Sequence, residues 1–124
     1  SSYNTEPARR EELFERMKFH TCRALELRRQ HYGEWHELVA KDLYFGQHCV
    51  GSTIAEHAAT LDKSINMMRD TNPGNLNLPY MLSDYANRLA LPQQKAVQDI
   101  YLQAVTPKTN ETKHEIAERF YRES

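Results

Sequence analysis

Glycine, cysteine and excess charge are all scarce in this chain, and each scarcity removes a class of function. Among 124 residues there are four glycines, and none of them opens a Gly-Lys-Ser or Gly-Lys-Thr loop that would cradle phosphate, or a Gly-x-Ser-x-Gly elbow. Cys22 and Cys49 are the only cysteines. Two thiols do not make a stapling framework, so the expectation is a reduced, mostly buried pair. No apolar run approaches the ~20 residues that span a bilayer, and the start Ser1-Ser-Tyr-Asn-Thr shows no basic, apolar signal. The expectation is a cytoplasmic protein with no membrane partner. A net charge of −1 gives no whole-molecule field that would recruit nucleic acid.

What is present is a globular composition with 40% hydrophobic and 27% charged residues, in a length that suits one domain over residues 1–124. Charge is uneven along it. From Arg9 to Arg29 basic residues exceed acidic ones by three, and from Gly33 to Ala90 acids exceed bases by three.

Helical periodicity dominates and no alternating strand pattern occurs, so the spacing predicts an all-α bundle of about five to six helices. A basic N-terminal helix occupies 6–32, starting near Thr5-Glu6-Pro7 and burying a broad face of Leu13, Phe14, Met17, Thr21, Ala24, Leu25 and Leu27. Gly33 ends it. A second helix from Glu34 to about Phe45 turns Trp35, Leu38, Val39 and Leu43 inward, and Gly46 and Gly51 bracket a loop. Thr53-Ile-Ala-Glu56 reads as a capping box and Asn72-Pro-Gly-Asn75 as the strongest break. Helices follow over Pro79–Ala90 and Pro92–Val105. A short C-terminal helix within 109–124 starts on a second box, Thr112-x-x-Glu115.

One stretch carries a functional pattern. Ile54-Ala-Glu56 followed by Ile65, and then Leu82, Tyr85, Ala86 and Leu89 in the form Leu-x-x-apolar-Ala-x-x-Leu, resembles the helix-turn-helix and supporting helix of the repressor and Cro group of phage and bacterial regulators. The resemblance covers about a third of the chain, residues 54–91, and places the motif within the 34–105 core. It implies a sequence-specific DNA-binding transcriptional regulator, with double-stranded DNA as partner and a homodimer on paired half-sites. A second reading stands beside it. Ile54, Ala58, Leu61, Ile65 and Met68 are also the stripe of one continuous helix, and the turn position is filled by Ala59 where such turns favour glycine. In that case the chain is a helical protein–protein interaction protein without DNA binding.

If the motif forms, Thr60, Lys63, Ser64, Asn66, Met67 and Arg69 project into the major groove. Asn66 would contact adenine, Lys63 or Arg69 guanine or phosphate, and Met67 a thymine methyl. Arg28 and Arg29, in the basic helix, would contact phosphate. Asp62 and Asp70 oppose that role. His20 with Cys22 and His48 with Cys49 have the ligand types of a zinc site but not its usual spacing, and Glu111-x-x-His114 lacks the second such pair a di-iron bundle needs. No acid, base and nucleophile converge, so neither an enzyme nor a cofactor or metal is expected.

Overall fold

The computed structural model describes residues 2–91 and 94–124, the first four by backbone alone. Its elements run α1 Ser2–Tyr32, α2 Glu37–Phe45, a 3₁₀ turn Gln47–Cys49, α3 Ile54–Thr71, α4 Asn77–Ala90, α5 Lys95–Ala104 and α6 Lys113–Glu123. There is no strand among the described residues. The expected all-α architecture of five to six helices is the one formed.

Five helices, α2 to α6, make a bundle around α3. That helix packs on α2, α4 and α5, while α4 packs on α6. Ala58, Leu61, Ile65 and Met68 of α3 are all fully buried, as are Tyr85 and Leu89 of α4, with Phe120 of α6 only 1% exposed. The boundaries follow from capping chemistry. Thr53 accepts the Glu56 amide and Thr112 the Glu115 amide, each satisfying an N–H that the first turn leaves free. Only Thr112 forms the full reciprocal box. At Thr53 the Glu56 carboxylate instead accepts the threonine hydroxyl, at 2.9 Å. The Asn72–Asn75 break is held by Glu37, whose carboxylate accepts both asparagine side chains at 2.7 and 2.9 Å.

Several boundaries differ from expectation. α1 starts at Ser2, with Pro7 inside it. α2 starts at Glu37 because His36 Nδ1 accepts the Leu38 amide as its cap. Trp35 therefore lies outside the helix, half exposed, and donates from Nε1 to Asp70. α4 starts two residues before Pro79, and the proposed start at Pro92 lies outside the described residues. Gly33, at φ +88°, ends α1 as expected and bonds back to the Arg29 carbonyl.

The first helix departs most. Of its expected core face only Leu25 is buried, at 2% exposed; Leu13, Phe14, Met17 and Leu27 are 48–66% exposed. α1 packs on the body mainly through α2 and the 3₁₀ turn. Those contacts lie in its second half, through Leu25, Arg28 to Asp42, and Cys22. Every residue from Glu6 to Met17 is exposed. The first half of α1 is an arm.

Candidate functional site

Residues 54–71 form a single helix, so the turn expected between Ala59 and Asp62 is absent. Three hydroxyl side chains along it are satisfied inside the helix. Thr60 donates to the Glu56 carbonyl, Ser64 to Thr60 and Thr71 to Met67, each one turn back at 2.7–2.9 Å. A helix-turn-helix at this place is therefore corrected to one core helix, and its proposed base readers fall in three groups.

Ser64 and Met67 are fully buried and reach no groove. Asn66 donates to Thr106 Oγ1 at 2.8 Å and to Asp62 at 3.2 Å. Arg69 makes a two-point pair with Glu123 at 2.6 and 2.7 Å, and its guanidinium lies 5.2 Å from the centre of the Phe120 ring. These side chains tie α3 to the loop before α6 and to α6 itself. Of the proposed readers only Lys63 is exposed, with none of these ties, and Thr60 is half-buried. The two phosphate candidates are engaged as well, Arg28 with Asp42 at 3.2 Å and Arg29 with Glu34 at 3.3 Å.

The polar groups of the core follow the same logic. Asp62, 5% exposed, accepts the Thr106 amide at 3.1 Å and its hydroxyl at 2.5 Å. Burial pushes the Asp62 carboxyl above its ordinary value, and the Thr106 hydrogen bonds oppose that only in part. Tyr44 donates to Asp84 at 2.6 Å, and Arg88 joins Asp84 to the Tyr101 hydroxyl at 3.0 and 2.9 Å. Burial, reinforced by Asp84, holds the Tyr44 hydroxyl far above the ordinary phenol range. It is a fixed neutral donor that locks α2 to α4, not a proton acceptor.

The arm presents a periodic exposed surface. Leu13, Met17, Ala24 and Leu27 recur at four, seven and three residues along one stripe, with His20 inside it and Phe14 beside it. Arg9, Arg16 and Arg23 recur every seventh residue along one flank. Within the arm, Glu6–Arg10 and Glu12–Arg16 pair in the favourable i,i+4 sense and Lys18 lies over the Phe14 ring at 4.5 Å. At the arm's base a Cβ on Gly46 would fall 3.3 Å from Thr21 Cγ2. Next to Gly46 in sequence, Phe45 stacks on Tyr80 with ring centres 5.6 Å apart, both about half exposed.

Cys22 and Cys49 are bonded as a disulfide, which corrects the expectation of two reduced thiols. Sequence gave no pairing signal across 27 positions. In space, Cys22 on α1 meets the 3₁₀ turn that carries Cys49. The same turn brings His48 in, so the ligand atoms of Cys22, His48 and Cys49 all lie within 4.8 Å of one another. His20, on the arm, is not part of that group. A cleft of about 490 Å³ opens beside it, lined by Cys22, Cys49, Leu25, Glu26, Arg29 and Glu34.

Compared with protein-family models, with curated proteins and with solved structures, the chain matches none. Among the described residues no helix is long and apolar enough to cross a membrane.

Proposed function

We propose that the chain is a protein–protein interaction module whose working surface is the apolar stripe of α1, and that its partner is an amphipathic helix with acidic residues flanking its own apolar face. The observation that carries this is the arm itself: a helix from Glu6 to Met17 with every side chain exposed, including Leu13, Phe14 and Met17. Contiguous exposed apolar surface of this kind marks interaction sites.

Charge selects the occupant. In a heptad frame with Leu13 and His20 at one core position and Met17 and Ala24 at the other, the flank nearest the stripe is Arg9, Arg16 and Arg23, and the opposite flank is Pro7, Phe14, Thr21 and Arg28. A second copy would pair arginine with arginine if antiparallel. If parallel, it would set arginine against Phe14, Thr21 and Arg28. Neither arrangement supplies the opposite charge that such flanks use to choose partners. A foreign helix with Glu or Asp at its flanks supplies it. The DNA-binding reading loses its support with the turn and with the burial of Ser64 and Met67.

The test uses two labelled helical peptides with identical Leu stripes, one flanked by Glu and one by Lys, titrated with the full chain by fluorescence anisotropy. The acidic peptide should bind, more weakly as salt rises, and Met17→Glu should abolish binding with the fold intact. Equal binding of both peptides would overturn the reading, as would failure of both. Dimerisation through the arm in sedimentation, adsorption of the arm to anionic vesicles, or salt-steep binding of duplex DNA without binding of the acidic peptide would replace it.

A further inference from the structure

We propose that Cys22, His48 and Cys49 form a zinc site in the reduced protein, so that the disulfide and the metal are alternative clips holding the base of the arm to the body. The ligand set is a thiolate pair with one imidazole, a combination that selects zinc. Its geometry is close to assembled. A tetrahedral zinc ion, with Zn–S near 2.3 Å and Zn–N near 2.0–2.1 Å, holds its ligand atoms roughly 3.5–3.8 Å apart. The three ligand atoms here already lie within 4.8 Å of one another.

Local structure explains why neighbouring residues can share the ion. His48 and Cys49 sit in a 3₁₀ turn capped by the Val50 amide on the Gln47 carbonyl at 3.2 Å, and Cys22 approaches from α1. Both cysteines line the cleft of about 490 Å³, and Glu26 lines the same wall. Zinc sites of this composition complete their shell with a carboxylate or water.

The chemistry balances in two steps. A small-molecule dithiol reduces the Cys22–Cys49 bond by thiol–disulfide exchange, its own sulfurs ending as a disulfide and the protein's as two thiols. Zinc then binds both sulfurs as thiolates, and each releases its proton. In the reverse direction, a disulfide oxidant of the glutathione type takes the two electrons, the Cys22–Cys49 bond re-forms, and the ion leaves. His48 is neutral when bound and takes no part in the redox step.

The experiment uses the full chain, reduced without oxygen and titrated with Zn²⁺ against a chromophoric chelator, and with Co²⁺ as an optical probe. One ion per chain should bind, with thiolate-to-cobalt charge-transfer absorption and tetrahedral d–d bands. His48→Ala leaves the disulfide intact, so it tests the site even if Cys22→Ser fails to fold. It should weaken the metal at least ~10-fold, the lower range seen even for loss of an outer-shell partner. Glutathione disulfide should release the ion. No stoichiometric binding by the reduced chain would overturn the proposal, as would equal affinity in His48→Ala, or Co²⁺ spectra without sulfur charge transfer.

Discussion

α3 and the first half of α1 carry the same signal and meet opposite fates. Both present apolar side chains at helical spacing, yet Ala58, Leu61, Ile65 and Met68 are fully buried while Leu13 and Met17 are 50% and 66% exposed. Periodicity states that a face needs covering. Topology decides what covers it, and here the body closes on α3 from three sides while every residue of α1 from Glu6 to Met17 is exposed. The body is therefore complete without the arm, and the arm's unmet apolar surface is what a partner can use.

The comparison predicts large stability effects in the body and small ones in the arm. Ile65→Ala should cost ~2–5 kcal/mol in chemical denaturation as a core truncation, whereas Met17→Ala should stay within about 0.5 kcal/mol, as for exposed sites. Comparable losses at the two positions would break the distinction. Between these extremes lies the clip. Under oxidising conditions Cys49→Ser should lose about 3–4 kcal/mol by the chain-entropy relation for a loop of 27 residues. If Cys49→Ser unfolds with an unchanged midpoint, the arm's base is held by Leu25 and Arg28 alone.

A smaller effect tests the reassigned arginine. Arg69→Ala removes a part-exposed pair with Glu123, whose side chains are 24% and 36% exposed, so a loss of about 1 kcal/mol is expected. Binding of the acidic peptide should not change. Had Arg69 been a free reader of a partner, stability would stay constant and binding would fall.

The pH dependence gives opposite signs at two carboxylates. The Asp62 carboxyl has a folded value raised above 3.8, first by burial. The folded state therefore keeps a proton that the unfolded chain has released, and this contribution is full below 3.8 and lost as pH rises through the raised value. Glu37 is held below its ordinary value, first by the Asn72 hydrogen bond and then by Asn75, so its contribution is present at neutral pH and lost in acid. Melting midpoints of the wild type relative to Asp62→Asn should rise as pH falls from neutral toward 4. A relative fall over that range would place the Asp62 carboxyl on the other side of its ordinary value.

Much of the body was legible in the sequence because its signals are local. Thr53 and Thr112 mark helix starts through hydrogen bonds within the first turn, Asn72–Asn75 breaks the helix, and the stripe of α4 reads as a helix. The segment 54–71 was ambiguous, since its four-and-three spacing fits both one helix and two. Ser64 and Asp62 are satisfied by contacts at short and at long range, Thr60 for one and Thr106 for the other. The long-range partner is 44 positions away. A separation of 27 positions likewise concealed the disulfide, and with it the approach of Cys22 to His48 and Cys49. The arm's exposure was illegible for a different reason: an amphipathic pattern records that a face is apolar, not whether its own chain covers it.

Hydrogen exchange along α1, with and without the Glu-flanked peptide, tests the central claim most directly. Alone, amides of residues 6–17 should exchange rapidly while those of α3 and α4 remain protected, since every residue of that segment is exposed. With the peptide, protection should appear across residues 9–27 and leave α3 unchanged. An arm already as protected as α3 in the free monomer, or protection gained on α3 and not on α1, would contradict the account.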